Sequence, residues 1–320
     1  MKAALLIGFG YEGHPELKLP GIIIDLYRSY RWARGIGIDK LYILTDHIAN
    51  IRSEKVLQLV IKGELEGEAV HFIDRIRSES VYHNYHNYES FISELQLLLT
   101  GSARLFVYYS GHSERGLMLF PRTPPRGSFI INNQESLGID RLPLNQIVKY
   151  GIKRALPKIQ IMTILDCCYA TGMDLAFRMT ITRPLITDSP IINIKQELDS
   201  CGTESLTDLA KQEQLARFRY HGMGDQLLGR DHEIVCISSG HEEETAAARY
   251  DGSLFTRLLY KYLDSLTIDE LMKKMVEVGY QKTPIATASH PHLKRLWRWF
   301  RSRDIFEVDY DPLDNLLIIK

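Results

Sequence analysis

Two residues of this sequence have the type and the setting for nucleophilic catalysis. Cys168 lies in the stretch Ile161-Met-Thr-Ile-Leu-Asp-Cys-Cys-Tyr-Ala-Thr-Gly172. Its first five residues are apolar or β-branched, as in a strand buried on both faces, and the run stops on Asp166, Cys167 and Cys168. His112 closes a stretch of the same design, Leu105-Phe-Val-Tyr-Tyr-Ser-Gly-His-Ser113. A thiol becomes a strong nucleophile when a nearby imidazole takes its proton, and a buried strand holds its last side chains rigidly at a cleft edge. The expectation is therefore that His112 and Cys168 meet across neighbouring strand ends. The plain alternative is that Cys167 and Cys168 are core thiols and His112 a loop histidine, because buried cysteine is common.

Such a pair needs a frame. The apolar runs predict strands over Ala3–Phe9, Leu41–Leu44, Val70–Ile73, Arg104–Tyr109, Ile159–Leu165, Glu233–Ile237 and Leu316–Ile319. Helical periodicity covers Ile22–Ala33, Ile51–Ile61, Tyr88–Leu99, Leu144–Ala155, Gly252–Leu263 and Ile268–Val278. Leu117–Ile131, broken by Pro121, Pro124 and Pro125, reads as loop and hairpin. Strands alternating with helices through residue 168 imply βαβ units, hence an α/β fold with a mainly parallel sheet. Clefts of such sheets lie beyond the carboxyl ends of the strands, where both residues fall.

The bulk composition narrows the class. The chain has 320 residues, 45% hydrophobic and 25% charged, with net charge −1. That is the make-up of a globular protein with ample core. Near-zero net charge gives no electrostatic case for nucleic acid. No stretch approaches 18 uninterrupted apolar residues, so no membrane span is expected. Four cysteines at irregular spacing make no disulfide framework, which points to a reducing, cytoplasmic setting.

The motifs in order resemble the caspase-like cysteine peptidases, metacaspases in particular. Tyr109-Ser-Gly-His-Ser113 is similar to the family's Tyr-Ser-Gly-His-Gly, and Asp166-Cys-Cys-Tyr-Ala-Thr-Gly172 to Asp-Cys-Cys-His-Ser-Gly. Met173-Asp-Leu-Ala-Phe177 stands for Leu-Asp-Leu-Pro-Tyr, and Leu19-Pro-Gly-Ile-Ile-Ile-Asp25 for Leu-x-Gly-Cys-x-Asn-Asp. Ile237-Ser-Ser-Gly-His-Glu-Glu-Glu-Thr-Ala246, Gly252-Ser-Leu-Phe-Thr256 and Gln281-Lys-Thr-Pro-Ile-Ala-Thr-Ala-Ser289 resemble small-subunit segments. The resemblance spans most of the chain. It implies a single caspase-like domain over 1–320: large-subunit-like over 1–177, a linker over 178–231, and small-subunit-like over 232–320. It also implies a type I-like metacaspase without a pro-domain, built as a three-layer sandwich with a mainly parallel central sheet flanked by helices.

By position, the resemblance makes Cys168 the nucleophile and His112 the general base and acid. Backbone N–H groups of Ser113 and Cys168 would hold the oxyanion. Asp25, Ser110 and Asp166 match the positions lining the first specificity pocket. Two carboxylates there favour a fixed cation, so Arg or Lys should precede the scissile bond of protein or peptide substrates. The bland alternative makes Asp25 a surface helix residue and Asp166 a cap. Ser113 where the family has Gly, Ile22 where it has Cys, and Tyr169 with the shifted Gly172 depart from the pattern. The segment between His112 and Cys168 lacks the acidic cluster of calcium-activated metacaspases. Asp174 alone is a poor hard-cation site, so no cofactor is expected and calcium activation is not indicated.

Arg217 and Arg219, in the long linker, are candidate self-cleavage positions, and the resemblance implies a monomer. Tyr11-Glu-Gly-His-Pro-Glu-Leu-Lys18 is reminiscent of a paracaspase, also arginine-specific, which stays the nearer alternative. A catalytically silent caspase-like interaction module is the rival from another class. Tyr82-His-Asn-Tyr-His-Asn-Tyr88 reads as a polar loop or helix start rather than a metal site. Lys294–Arg303, with Trp297, Trp299 and Phe300, reads as a terminal element packing its aromatics.

Overall fold

In chain order the strands are Lys2–Gly8 (β1), Lys40–Leu44 (β2), Tyr82–His83 (β3), Arg104–Ser110 (β4), Ser113–Glu114 (β5), Leu117–Pro121 (β6) and Ile139–Pro143 (β7). Gln160–Asp166 (β8), Arg219–Tyr220 (β9), Glu233–Ser238 (β10), Ala248–Arg249 (β11), Gly252–Ser253 (β12) and Ile285–Ala288 (β13) follow. The helices are Ile22–Gly35 (α1), Phe72–Ser78 (α2), Tyr88–Leu99 (α3), Leu144–Gly151 (α4), Leu254–Tyr262 (α5) and Ile268–Glu277 (α6). The computed structural model describes residues 1–11, 14–19, 21–46, 71–114, 117–123, 138–156, 158–167, 219–220, 233–240, 248–249, 251–280, 282 and 284–288.

Among these residues one eight-stranded sheet runs in the order β3-β2-β1-β4-β8-β10-β13-β9. The first six strands are mutually parallel. β13 joins β10 antiparallel, and β9 lies parallel to β13. Every residue of β4, β8 and β10 is buried, which is why these segments carry apolar runs instead of alternation. Period-2 geometry still divides them between two cores. Ala4, Leu6, Phe106, Tyr108, Met162 and Ile164 pack with α1, α2, α5 and α6. Leu5, Ile7, Leu105, Val107, Tyr109 and Leu165 pack with α3 and α4 on the opposite face. The result is a three-layer α/β sandwich.

Local chemistry sets the helix starts. Asn87 caps α3 by accepting from Ser90 N–H at 2.9 Å, and Ser253 caps α5 by accepting from Thr256 N–H at 3.0 Å. Thr267 and Glu270 form a capping box on α6.

The sequence expectations hold for β1, β2, β4, β8 and β10 and for α1, α3, α4, α5 and α6, with ends shifted by a few residues. Val70–Ile73 is a correction. Phe72 begins helix α2, because Phe72 and Ile76, four apart, are both buried and Phe72 packs edge-on to Tyr27. A four-residue stretch cannot tell one turn of helix from a strand. Tyr82–His83, read as a polar loop or helix start, instead pairs with β2, and the His83 ring stacks on Tyr42 at 3.8 Å. Gly252 and Ser253, read as helix, form β12 ahead of α5. The segments Ile51–Ile61, Lys294–Arg303 and Leu316–Ile319 lie outside the described residues.

Gly8, level with Ser110 in the sheet, sits where α1 crosses closest. A Cβ there would stand 2.6 Å from Leu26 Cγ and 2.8 Å from Ile22 Cγ2. Gly8→Ala is expected to cost about 1–3 kcal/mol of stability, read as a lower urea midpoint. An unchanged midpoint would contradict this packing.

Candidate active site

β4 and β8 end level. Ser110 pairs with Asp166 in the parallel register, and Gly111 N–H donates to Asp166 O at 3.3 Å. His112 and Cys168 thus each follow a paired strand end by two positions. Cys168 lies outside the described residues. Its neighbour Cys167 is buried in the core on the α3 and α4 side, outside any disulfide, and its carbonyl accepts from Ser239 Oγ at 3.1 Å.

The His112 imidazole is held in one tautomer. Its Nε2 lies 2.7 Å from the carbonyl oxygen of Leu17. A carbonyl only accepts, so Nε2 carries the proton and Nδ1 of the neutral ring is the free acceptor. Burial pushes the imidazole below its ordinary range, with the Leu17 carbonyl acting weakly in the other direction. A neutral ring with an open Nδ1 is the state required of a general base. The peptide is fixed as well. His112 N–H donates to the Tyr11 hydroxyl at 2.8 Å, and His112 O accepts from Leu119 N–H at 3.1 Å and from the Tyr109 hydroxyl.

The second half of the site is acidic. Asp25, on the first turn of α1, and Asp166, at the end of β8, are 1% and 3% exposed. Asp25 is therefore not a surface helix residue. Ser253 N–H reaches both Asp25 carboxylate oxygens at 3.0 Å, and Arg28 Nη1 lies 3.4 Å from Oδ1. Asp166 Oδ2 accepts from the Ser253 hydroxyl and from Thr256 Oγ1 at 2.6 Å. With the Thr256 proton committed to Asp166, Tyr108 is the donor in its 2.7 Å contact with Thr256 Oγ1. Burial, then the charge of Asp166, pushes the Asp25 carboxyl well up. Burial pushes Asp166 up against the pull of the Ser253 and Thr256 hydroxyls. Arg28 is the cation beside the pair, and it opposes the upward push on both acids.

Of the residues singled out from sequence, the structure brings Asp25 and Asp166 together around Ser253. It places buried Ser110 beside Asp166 in register and Ser113 in β5, paired with Met118. Arg219 lies in β9 opposite Thr287. Arg217 and Asp174 lie outside the described residues. No cluster of three potential metal ligands occurs among the described residues, and no helix there is long and apolar enough to cross a membrane. Sequence reasoning missed Leu17, Tyr11, Thr256 and Ser253. Leu17 acts through a backbone carbonyl, which residue type does not encode. Ser253 was visible as the second residue of Gly252-Ser-Leu-Phe-Thr256, but nothing in the sequence says that it reaches both acids.

No family model matches the chain, and no curated protein matches it. Among solved structures the chain is similar to the crystal structure of a protein from Geobacter sulfurreducens. Identity is 13% over 90% of this chain and 92% of that one, with a TM-score of 0.41. A likeness at that level carries no argument about activity.

Because burial raises the Asp25 carboxyl, the folded state binds its proton more tightly than the unfolded chain does. From the ordinary carboxylate range of about 4 up to the raised folded value, this group makes stability fall as pH rises. Asp25→Asn is expected to lose less stability than wild type over that window in urea titrations. Parallel pH dependences for the two proteins would contradict the assignment.

Proposed function

We propose that the chain is a cysteine endopeptidase of the metacaspase type, cleaving peptide bonds after Arg or Lys. One observation carries the reading: an imidazole held through Nε2 lies two residues past the end of β4, level with the end of β8, where buried Asp166 shares Ser253 with buried Asp25. The resemblance places the nucleophile, Cys168, two residues beyond Asp166.

The steps follow from these roles. His112 Nδ1 takes the Cys168 thiol proton, and the thiolate attacks the scissile carbonyl carbon. The resulting oxyanion is held by the N–H groups of Ser113 and Cys168. On collapse the C–N bond breaks, and His112 returns the proton to the leaving amine. Water, giving a proton to His112, then cleaves the thioester and frees the acid and the thiol. The Leu17 carbonyl keeps its hold on Nε2–H through each transfer, which steadies the imidazolium. Asp25 and Asp166 take the substrate cation, aligning the bond that follows it.

The test is hydrolysis of a fluorogenic peptide ending in Arg, with and without calcium. Wild type is expected to turn it over, and Cys168→Ala and His112→Ala to fall by on the order of a thousandfold or more. A peptide ending in Asp should be refused, because the site already holds two acids. No turnover by folded wild type in either condition would favour a silent interaction module. Self-processing is read in the same preparations: fragments ending near Arg217 or Arg219 are expected in wild type and absent from Cys168→Ala.

A further inference from the structure

The segment before α1 does more than lead the chain out of β1. Tyr11 is fully buried, and its backbone adopts φ 55°, a left-handed conformation uncommon outside glycine. Such a conformation persists where its surroundings over-determine it. Here the Tyr11 hydroxyl accepts from His112 N–H at 2.8 Å and donates to Leu119 O at 2.8 Å, tying the histidine peptide to β6. The Tyr11 ring lies 4.8 Å from the imidazole, centroid to centroid. From Tyr11 the backbone returns through two short bonds, His14 N–H to Tyr11 O and Leu17 N–H to His14 O, each 2.9 Å. These present the Leu17 carbonyl to His112 Nε2. Gly111 makes the approach feasible: a Cβ there would stand 2.9 Å from the Tyr109 hydroxyl and 3.0 Å from that of Tyr11.

We propose that Tyr11 is the positioning residue of His112, gripping its peptide through the hydroxyl and its ring through a tilted ring contact and the Leu17 carbonyl. Removing the hydroxyl leaves the half-buried His112 N–H and the buried Leu119 O without this partner. The imidazole then loses the reference that keeps Nε2 on Leu17 and Nδ1 free. The catalytic consequence rests on the peptidase reading above; the geometric one does not.

The experiment has two arms on full-length protein. In the first, Tyr11→Phe is compared with Tyr85→Phe, which also removes one hydroxyl from a buried tyrosine, there bonded to Asp140. Tyr11→Phe is expected to lower kcat on the Arg peptide about 10- to 100-fold with KM within about twofold, a loss typical of misplaced catalytic groups. Tyr85→Phe should keep kcat within about twofold. The second arm records the downfield imidazole N–H signal of His112, assigned with His112→Gln. That proton should exchange slowly in wild type and in Tyr85→Phe, and fast in Tyr11→Phe. Equal kcat losses in the two variants, or an unchanged imidazole signal in Tyr11→Phe, would overturn the proposal. If wild type hydrolyses no peptide, the peptidase reading fails, and the imidazole signal still decides the role of Tyr11.

Discussion

The parallel pairing of β4 with β8 is the constraint on which the rest depends. Seven residue pairs, from Arg104 with Gln160 to Ser110 with Asp166, lock two fully buried strands level with each other. A slip of one residue would turn Tyr108 and Tyr109 to the wrong faces and bury the wrong set. It would also separate the end of one strand from the end of the other. The register is secured at the far end by a buried polar chain, Arg104 Nε to Gln160 Oε1 at 2.9 Å and Gln160 Nε2 to Glu233 Oε2 at 2.6 Å. Those contacts join β4, β8 and β10 at their amino ends, where an unpaired charge would be costly, and so set the level at which the carboxyl ends stop.

At those carboxyl ends the period-2 alternation of strands separates two kinds of chemistry. Cys167 falls on the α3 and α4 side, within the core. Asp166, one residue earlier, faces α1, β12 and α5, from which Asp25, Ser253 and Thr256 meet it. The imidazole is served by a different element again, the turn between β1 and α1. The imidazole and the acid pair are thus held by separate parts of the chain.

Much of this frame is readable from residue order. The buried strands announce themselves because a sheet covered on both faces leaves no room for polar alternation, and α3 and α6 because their helical period is long enough to read. His112, Asp25 and Asp166 are legible as side chains of the right kind at strand ends or on a first helical turn. What sequence does not carry is of two sorts. Short segments such as Phe72–Ser78 have no period long enough to decide between helix and strand. Contacts through backbone atoms, such as the Leu17 carbonyl and the Ser253 N–H, depend on where the chain goes rather than on what it bears. The strand Ile285–Ala288 was hidden for a related reason: only its pairing with β10 reveals it.

Ser253 ties the timing of the site to the whole chain. It lies 228 positions beyond Asp25 and 87 beyond Asp166, yet it donates to both. As the chain leaves the ribosome, both acids are made long before the residue that satisfies them. Until β12 docks and α5 winds from its cap, Asp25 has only Arg28 of its own helix, and both acids lack the donors of Ser253. The donors that hold the two acids are therefore synthesised well after the strand that supplies Asp166.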